Sequence, residues 1–196
     1  MMRTACALLL VALCGCASPP NMHYWSLQRM STTTPTSPGA TCSVQVGPVG
    51  VPEVYDQTEI VVDNGAQKRW LDNERWDSPF PQAVADRLAT SLGQSLGTRR
   101  VYAWPNSLSE RPDFLVTLQI LRMRSELGGA VRIEGLWTIK PAGQPGLQGD
   151  VNQEKPVSDG HYATLVSATG EVVDAIGQDL AHRISQLHGC GTLSGQ

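Results

Sequence analysis

At 196 residues the chain has the size of one domain with a tail, and two unrelated large domains do not fit in it. Lys plus Arg number 15 and Asp plus Glu 18, a net charge of −3, so the basic footprint of a duplex-binding protein is missing and no nucleic-acid partner is expected. Hydrophobic residues at 41% against 17% charged describe a chain that folds, because disorder goes with low hydrophobicity and high net charge.

The chain opens on a signal-like segment. Arg3 is the only charge before Arg29, and it precedes an apolar run over residues 5–14. A membrane-spanning helix needs about 20 apolar residues, and this run ends at Gly15-Cys16-Ala17-Ser18-Pro19-Pro20. Leu13-Cys14-Gly15-Cys16 resembles the bacterial lipobox, in which a cysteine after a small residue is acylated and becomes the N-terminus on cleavage. Cys16 is therefore the expected lipid attachment site, and an ordinary secretory signal with a coincidental cysteine is the alternative. Several acyl chains on one residue hold a protein to a membrane far better than a single chain of myristoyl size. Ala17, rather than Asp, after the cysteine is the pattern of lipoproteins passed to the outer membrane. Residues 1–15 read as signal, 16–41 as lipid anchor and flexible tether, and 42–196 as a single globular domain. Within the tether, residues 31–41 (STTTPTSPGAT) are low in complexity, and His23-Tyr24-Trp25-Ser26-Leu27 is a short apolar patch.

Beyond the tether the elements follow in order. Val44 and Val46 alternate with Ser43 and Gln45, a strand that is expected to end at Gly47-Pro48. Glu59-Ile60-Val61-Val62 runs into Asp63-Asn64-Gly65, a hairpin signal, with residues 67–71 as the return strand. From Pro79 the period becomes helical: Val84, Leu88, Leu92 and Leu96 fall four apart, Ser78 is the expected cap and Gly97 the stop. Phe114, Val116, Leu118 and Ile120 share one strand face, and Val131, Ile133, Gly135, Trp137 and Ile139 share another, with Gly128-Gly129 between them. Arg132, Glu134, Thr138 and Lys140 point the other way, so this sheet buries one face and leaves much of the other wet. A loop over 141–149, a short strand over 148–155 and a long helix over about 161–187 close the chain. The pattern is α/β, with two long helices packed on a mixed, mostly antiparallel sheet.

Two cysteines remain in the folded region, Cys42 and Cys190, at its two ends. An oxidising periplasm favours a Cys42–Cys190 disulfide, and two free thiols are the competing reading. Neither cysteine sits in a metal-ligand cluster, and no metal or cofactor is expected.

A search for catalytic chemistry returns little. There is no nucleophile elbow and no phosphate-binding loop, and Gly47-Pro48-Val49-Gly50 carries a proline that removes an amide donor. Asp179 and His182 could pair on one helix face, but a solvated helix pair is the better reading. Asp72, Glu74 and Asp77 form a loose acidic cluster whose interleaved Arg75 and Trp76 favour a capping loop over a metal site.

Together these features resemble the PqiC/YmbA family of ABC-type transport auxiliary lipoproteins. The resemblance rests on the lipobox at Cys16, Tyr24-Trp25-Ser26-Leu27, VGPVGVPEV at 46–54, Trp76-Asp77-Ser78-Pro79-Phe80 before the first helix, the hairpin from Phe114 to Trp137 and the closing helix. It implies a three-layer fold with a mixed sheet of about five strands, similar to the TolB N-terminal and anticodon-binding-like domains. It also implies a non-enzymatic, outer-membrane-anchored role facing the periplasm as auxiliary subunit of an MCE-type lipid transporter, with a periplasmic MCE-domain protein as partner and a homo-oligomer admitted. A lipoprotein of a different envelope assembly or secretion complex is the alternative. Many members carry Leu after the Tyr of the VPEY-like segment, where this chain has Val54-Tyr55-Asp56. Tyr55 and Trp76 are the candidate partner-binding aromatics, Tyr55 expected on an exposed turn and Trp76 either at an interface or packed beneath the following helix.

Overall fold

The computed structural model describes residues 21–28, 40–106, 111–187 and 190. In chain order these form β1 (His23–Trp25), β2 (Val44–Gly50), a 3-10 turn (Glu53–Tyr55), β3 (Glu59–Asn64), β4 (Gln67–Trp76), α1 (Phe80–Leu96), β5 (Val101–Ala103), β6 (Phe114–Ser125), β7 (Ala130–Pro141), β8 (Leu147–Pro156) and α2 (Tyr162–Ser185). The strands divide into a five-stranded sheet of order β5-β2-β6-β7-β8 and a three-stranded sheet of order β1-β4-β3.

The expected mixed sheet of five strands under two helices is present. Strands β6, β7 and β8 form an antiparallel meander, whereas β2 runs parallel to both β5 and β6. Parallel neighbours require a crossover, and α1 supplies the one between β2 and β5. Val116, Val131, Ile133 and Ile139 are fully buried on the sheet face that meets the helices, against stripes that include Val84, Leu88 and Leu92 of α1 and Val172, Val173, Leu180 and Ile184 of α2. Period-2 and period-3.6 patterns thus converge on one core. Gly149 of β8 lies across from Trp137, where a Cβ would come within 2.6 Å of the indole.

The helices lie side by side and run in the same direction, because their contacts advance together along both. Gly170 sits over the Arg87 guanidinium and Gly177 over Ser91, where a Cβ would approach Ser91 Oγ to 2.5 Å. Arg87 donates from Nε to Asp174 Oδ1 (2.7 Å) and from Nη2 to Asp174 Oδ2 (2.5 Å), and its Nη1 reaches the Leu27 carbonyl at 2.6 Å. This fork joins both helices to the N-terminal segment.

Several boundaries differ from expectation. The stretch 16–41 is not all tether: β1 pairs in parallel with β4, and Leu27 is 1% exposed in the core. Strand β2 does not stop at Gly47-Pro48 but passes them with a shift in its pairing to β6, so the glycine and proline occupy an irregularity within the strand. The return strand continues past Leu71 to Trp76, which places Asp72, Glu74 and Arg75 in a strand rather than a capping loop. Ser78 does not cap α1. The N-cap position is Pro79, without a side-chain bond, and the Phe80 amide is satisfied by the Gln57 carbonyl at 3.1 Å. At the other end Gly97 adopts φ 67°, the left-handed stop that its position predicts.

Cys42 and Cys190 are joined by a disulfide with Cα atoms 4.8 Å apart, beside the C-terminal ends of both helices. No helix among the described residues is long and apolar enough to cross a membrane.

Replacing Arg87 by Met should lower stability by about 3 kcal/mol, because it removes the two-pronged ion pair to the largely buried Asp174 carboxylate and the donor to the Leu27 carbonyl. Urea unfolding gives the magnitude. Amide exchange should report the earliest loss of protection at residues 23–28, and uniform protection loss would show that the fork does not hold the N-terminal segment.

Candidate functional site

The residues that carried catalytic or metal-binding possibilities are committed elsewhere. Asp179 Oδ2 accepts from Arg183 Nε at 2.9 Å, and His182 Nε2 lies 2.9 Å from Gln186 Nε2, so Asp179 and His182 are not brought together as base and orienting carboxylate. Glu74 of the acidic cluster is buried and receives His23 Nδ1 at 2.8 Å and Trp25 Nε1 at 2.5 Å. It is the post to which β1 is fastened. Among the described residues no three His, Cys, Asp or Glu side chains converge as a metal site.

Tyr55 and Trp76 require correction as partner-binding aromatics, since both are 5% exposed. They flank Phe80, with ring centroids 6.3 Å and 5.4 Å from it, and wedge the first turn of α1 against the small sheet. Tyr55 Oη donates to the Met123 carbonyl at 2.7 Å and accepts from Lys68 Nζ at 2.6 Å, while Lys68 also donates to Asp63 Oδ1 at 2.8 Å. Asp63 Oδ2 in turn accepts the Ser125 amide at 2.7 Å. Tyr55 is thus the centre of a polar bridge from the β3–β4 hairpin to the end of β6. Burial pushes the Tyr55 hydroxyl above its usual pKa, the Lys68 bond offsetting it only in part. Burial works against the Lys68 charge, but the bonds to Asp63 and Tyr55 outweigh it and raise its pKa. Proline on one side of Tyr55 points to exposure, and the partners that hold the phenol inside, Lys68 across a hairpin and the Met123 carbonyl 68 residues on, leave no local signal.

With those two residues inside, one exposed apolar surface is on the outer face of the five-stranded sheet. Both helices cover the other face. Leu115, Leu121 and Leu136 are 36%, 53% and 46% exposed here, among Thr117, Gln119 and Thr138. The register sets Gln119 opposite Leu136 and Thr117 opposite Thr138, so the leucines belong to one short ladder. Leu121 is the extra residue of a bulge between the Ile120–Gly135 and Arg122–Glu134 pairs, which turns it outward beside Arg122. One end of the ladder carries Arg122–Glu134 at 3.0 Å and the close Arg132–Glu154 pair. At the other side the loop after β5 closes over β2, where Gln45 Nε2 donates to the Tyr102 and Asn106 carbonyls at 3.3 and 3.2 Å. The result is an apolar strip with a charged margin, the composition of an interaction surface rather than of a reaction centre.

The family model for ABC-type transport auxiliary lipoprotein components matches residues 25–181. A search of curated proteins returns no match. Among solved structures, the chain is similar to an uncharacterized protein at 20% identity and TM-score 0.69, over 85% of this chain and 100% of that one. It is also similar to protein XCC0632 from Xanthomonas campestris at 16% identity and TM-score 0.65, over 84% of this chain and 99% of that one. At these identities the structural likeness establishes the fold.

Tyr55→Phe should destabilise the domain by about 1–2 kcal/mol, since it removes the donor to a buried carbonyl. Tyr55→Ala should cost about 3–5 kcal/mol as an aromatic truncation in a core, and urea midpoints separate the two. Both Tyr55 and Lys68 have folded pKa values above their unfolded ones of about 10. Their contribution is therefore complete below about pH 10 and lost as pH rises through the folded values. A Lys68→Met variant should start from lower stability at neutral pH and keep only the Tyr55 part of the alkaline loss, and an alkaline limb unchanged from wild type would exclude a role for this pair.

Proposed function

Because this chain belongs to the family of ABC-type transport auxiliary lipoprotein components, we propose that it is the non-catalytic tethering subunit of an MCE-type lipid transporter, held by acylated Cys16 to the outer membrane and facing the periplasm. A family of auxiliary transport components implies partners in a transporter complex. The observation that carries the finer reading is the open Leu115-Leu121-Leu136 strip on the outer face of the five-stranded sheet. A periplasmic MCE-domain protein is the proposed occupant of that strip. The short apolar run that ends at Gly15-Cys16 and the Ala17 that follows support the lipid anchor and its destination. An oxidising periplasm suits the Cys42–Cys190 bridge, which closes a loop of 148 residues.

Cys16→Ser should release a folded, soluble protein into the periplasm. Alkylation of that protein without reductant should add nothing to its mass, because both remaining thiols are bridged. A Cys16→Ser protein that stays in carbonate-washed membranes would overturn the anchor. For wild type, sedimentation in a sucrose gradient should place the protein with outer-membrane markers, and cosedimentation with inner-membrane markers would overturn the destination.

Leu136→Glu should abolish co-purification with the MCE-domain partner from native membranes while moving the urea midpoint little, because the side chain already meets water. Partner capture equal to wild type would move the binding surface off this face.

A further inference from the structure

We infer that the end of the domain formed by the three-stranded sheet lies against the lipid surface, with Tyr24, Trp70 and Trp104 seated at the headgroup level. This inference rests on the lipoprotein reading of Cys16. It begins from a length. Strand β1 starts at His23, so six residues separate it from Cys16. Fully extended, that leash spans about 25 Å. A domain of about 150 residues has a radius of gyration near 15 Å and a diameter of roughly 40 Å. The leash is shorter than the domain is wide, so the β1 end cannot turn away from the membrane in which Cys16 is embedded.

The surface at that end has the composition such a position requires. The three most exposed aromatic side chains among the described residues are Tyr24 at 67%, Trp104 at 54% and Trp70 at 48%. Each is tied to the end of the domain where both helices begin. Tyr24 lies on β1 in register with Arg75, next to the Trp25–Trp76 pair whose Trp76 packs on Phe80, the first residue of α1. Trp70 lines a cleft of about 280 Å³ with Tyr162, the first residue of α2. Trp104 follows β5, donates its amide to the Val46 carbonyl, and accepts at its own carbonyl from Gln82 Nε2 in the first turn of α1 (3.1 Å). The disulfide and the C-terminal ends of the helices are at the opposite end. Tyr and Trp combine an apolar body with a polar tip and concentrate at membrane–water interfaces. Rings left in water by the fold, at the end that a short leash holds to a bilayer, have their natural environment there.

The acylated full-length chain, purified from membranes and reconstituted in phosphatidylcholine vesicles brominated near the top of the acyl chain, gives the test. Flotation with the vesicles reports the anchor. Bromine quenching of tryptophan emission reports the orientation. Wild type should be quenched relative to unbrominated vesicles, Trp70→Phe and Trp104→Phe should each remove roughly half of the quenching, and the double variant should remove nearly all of it. Both side chains are exposed, so these variants should keep the wild-type urea midpoint. Protein that floats but shows no bromine-dependent loss of emission, or a double variant quenched like wild type, overturns the orientation and leaves the anchor standing, with the aromatics then facing a protein instead. Protein that fails to float overturns the anchor and the orientation together.

Discussion

The two helices can lie side by side on one face of the sheet only because α2 carries glycine where α1 crosses it. A Cβ at Gly177 would come within 2.5 Å of Ser91 Oγ, and one at Gly170 would come within 3.1 Å of the Arg87 guanidinium. Close approach places Arg87 within reach of Asp174 in a two-pronged ion pair, and the third guanidinium donor is left to find the Leu27 carbonyl. A wider helix spacing would break all of this at once. The N-terminal segment is therefore fastened to the domain by a helix–helix contact as well as by the pairing of β1 with β4 and Glu74, not by its own propensity, which three residues of β1 could not express alone.

That contact gives the molecule two unlike ends. Helices that run in the same direction gather both N-termini under the three-stranded sheet and both C-termini beside the Cys42–Cys190 bridge. The sheet's outer face is a side wall between those ends. Under the proposed anchoring, lipid meets one end and the leucine strip stands roughly perpendicular to the membrane, where a partner that crosses the periplasm can pass along it. Tether and binding surface are then separate features, joined by a rigid domain rather than by a flexible linker.

Local pattern made most of the central fold legible. The alternation from Phe114 to Ile139 identifies both strands and their buried face, Gly128 (φ 69°) sits at the turn where the glycine pair predicts one, and the four-residue leucine spacing of α1 needs no tertiary information. What escaped was non-local. The parallel neighbours of β2 are paired across 57 and 70 residues of chain in the Gln45–Tyr102 and Gln45–Leu115 registers, and no periodicity encodes a partner at such distance. Strand β1 depends on Glu74, whose carboxylate holds both His23 and Trp25 from a position that reads as one more surface acid. Ser78 looked like a cap because Ser at a helix start usually is one, but the Gln57 carbonyl already occupied the amide it would have served.

The exchange of roles between Tyr55 and the sheet leucines has the same origin. An aromatic framed by proline and acid reads as an exposed anchor, and the strand face opposite Phe114, Val116, Leu118 and Ile120 reads only as wet, yet in each case the deciding fact is what stands opposite. Tyr55 meets a lysine whose charge is held by Asp63 and the Met123 carbonyl, so burying its hydroxyl leaves nothing unsatisfied. Leu136 meets Gln119 on a face that neither helix can reach, because both are already spent on the other side. Surroundings, rather than residue type, turn the tyrosine inward and the leucines outward. A leucine about half exposed at a bulge or on a central strand contributes less to the fold than a buried one, which makes those positions the ones where a binding requirement is most readily separated from a folding one.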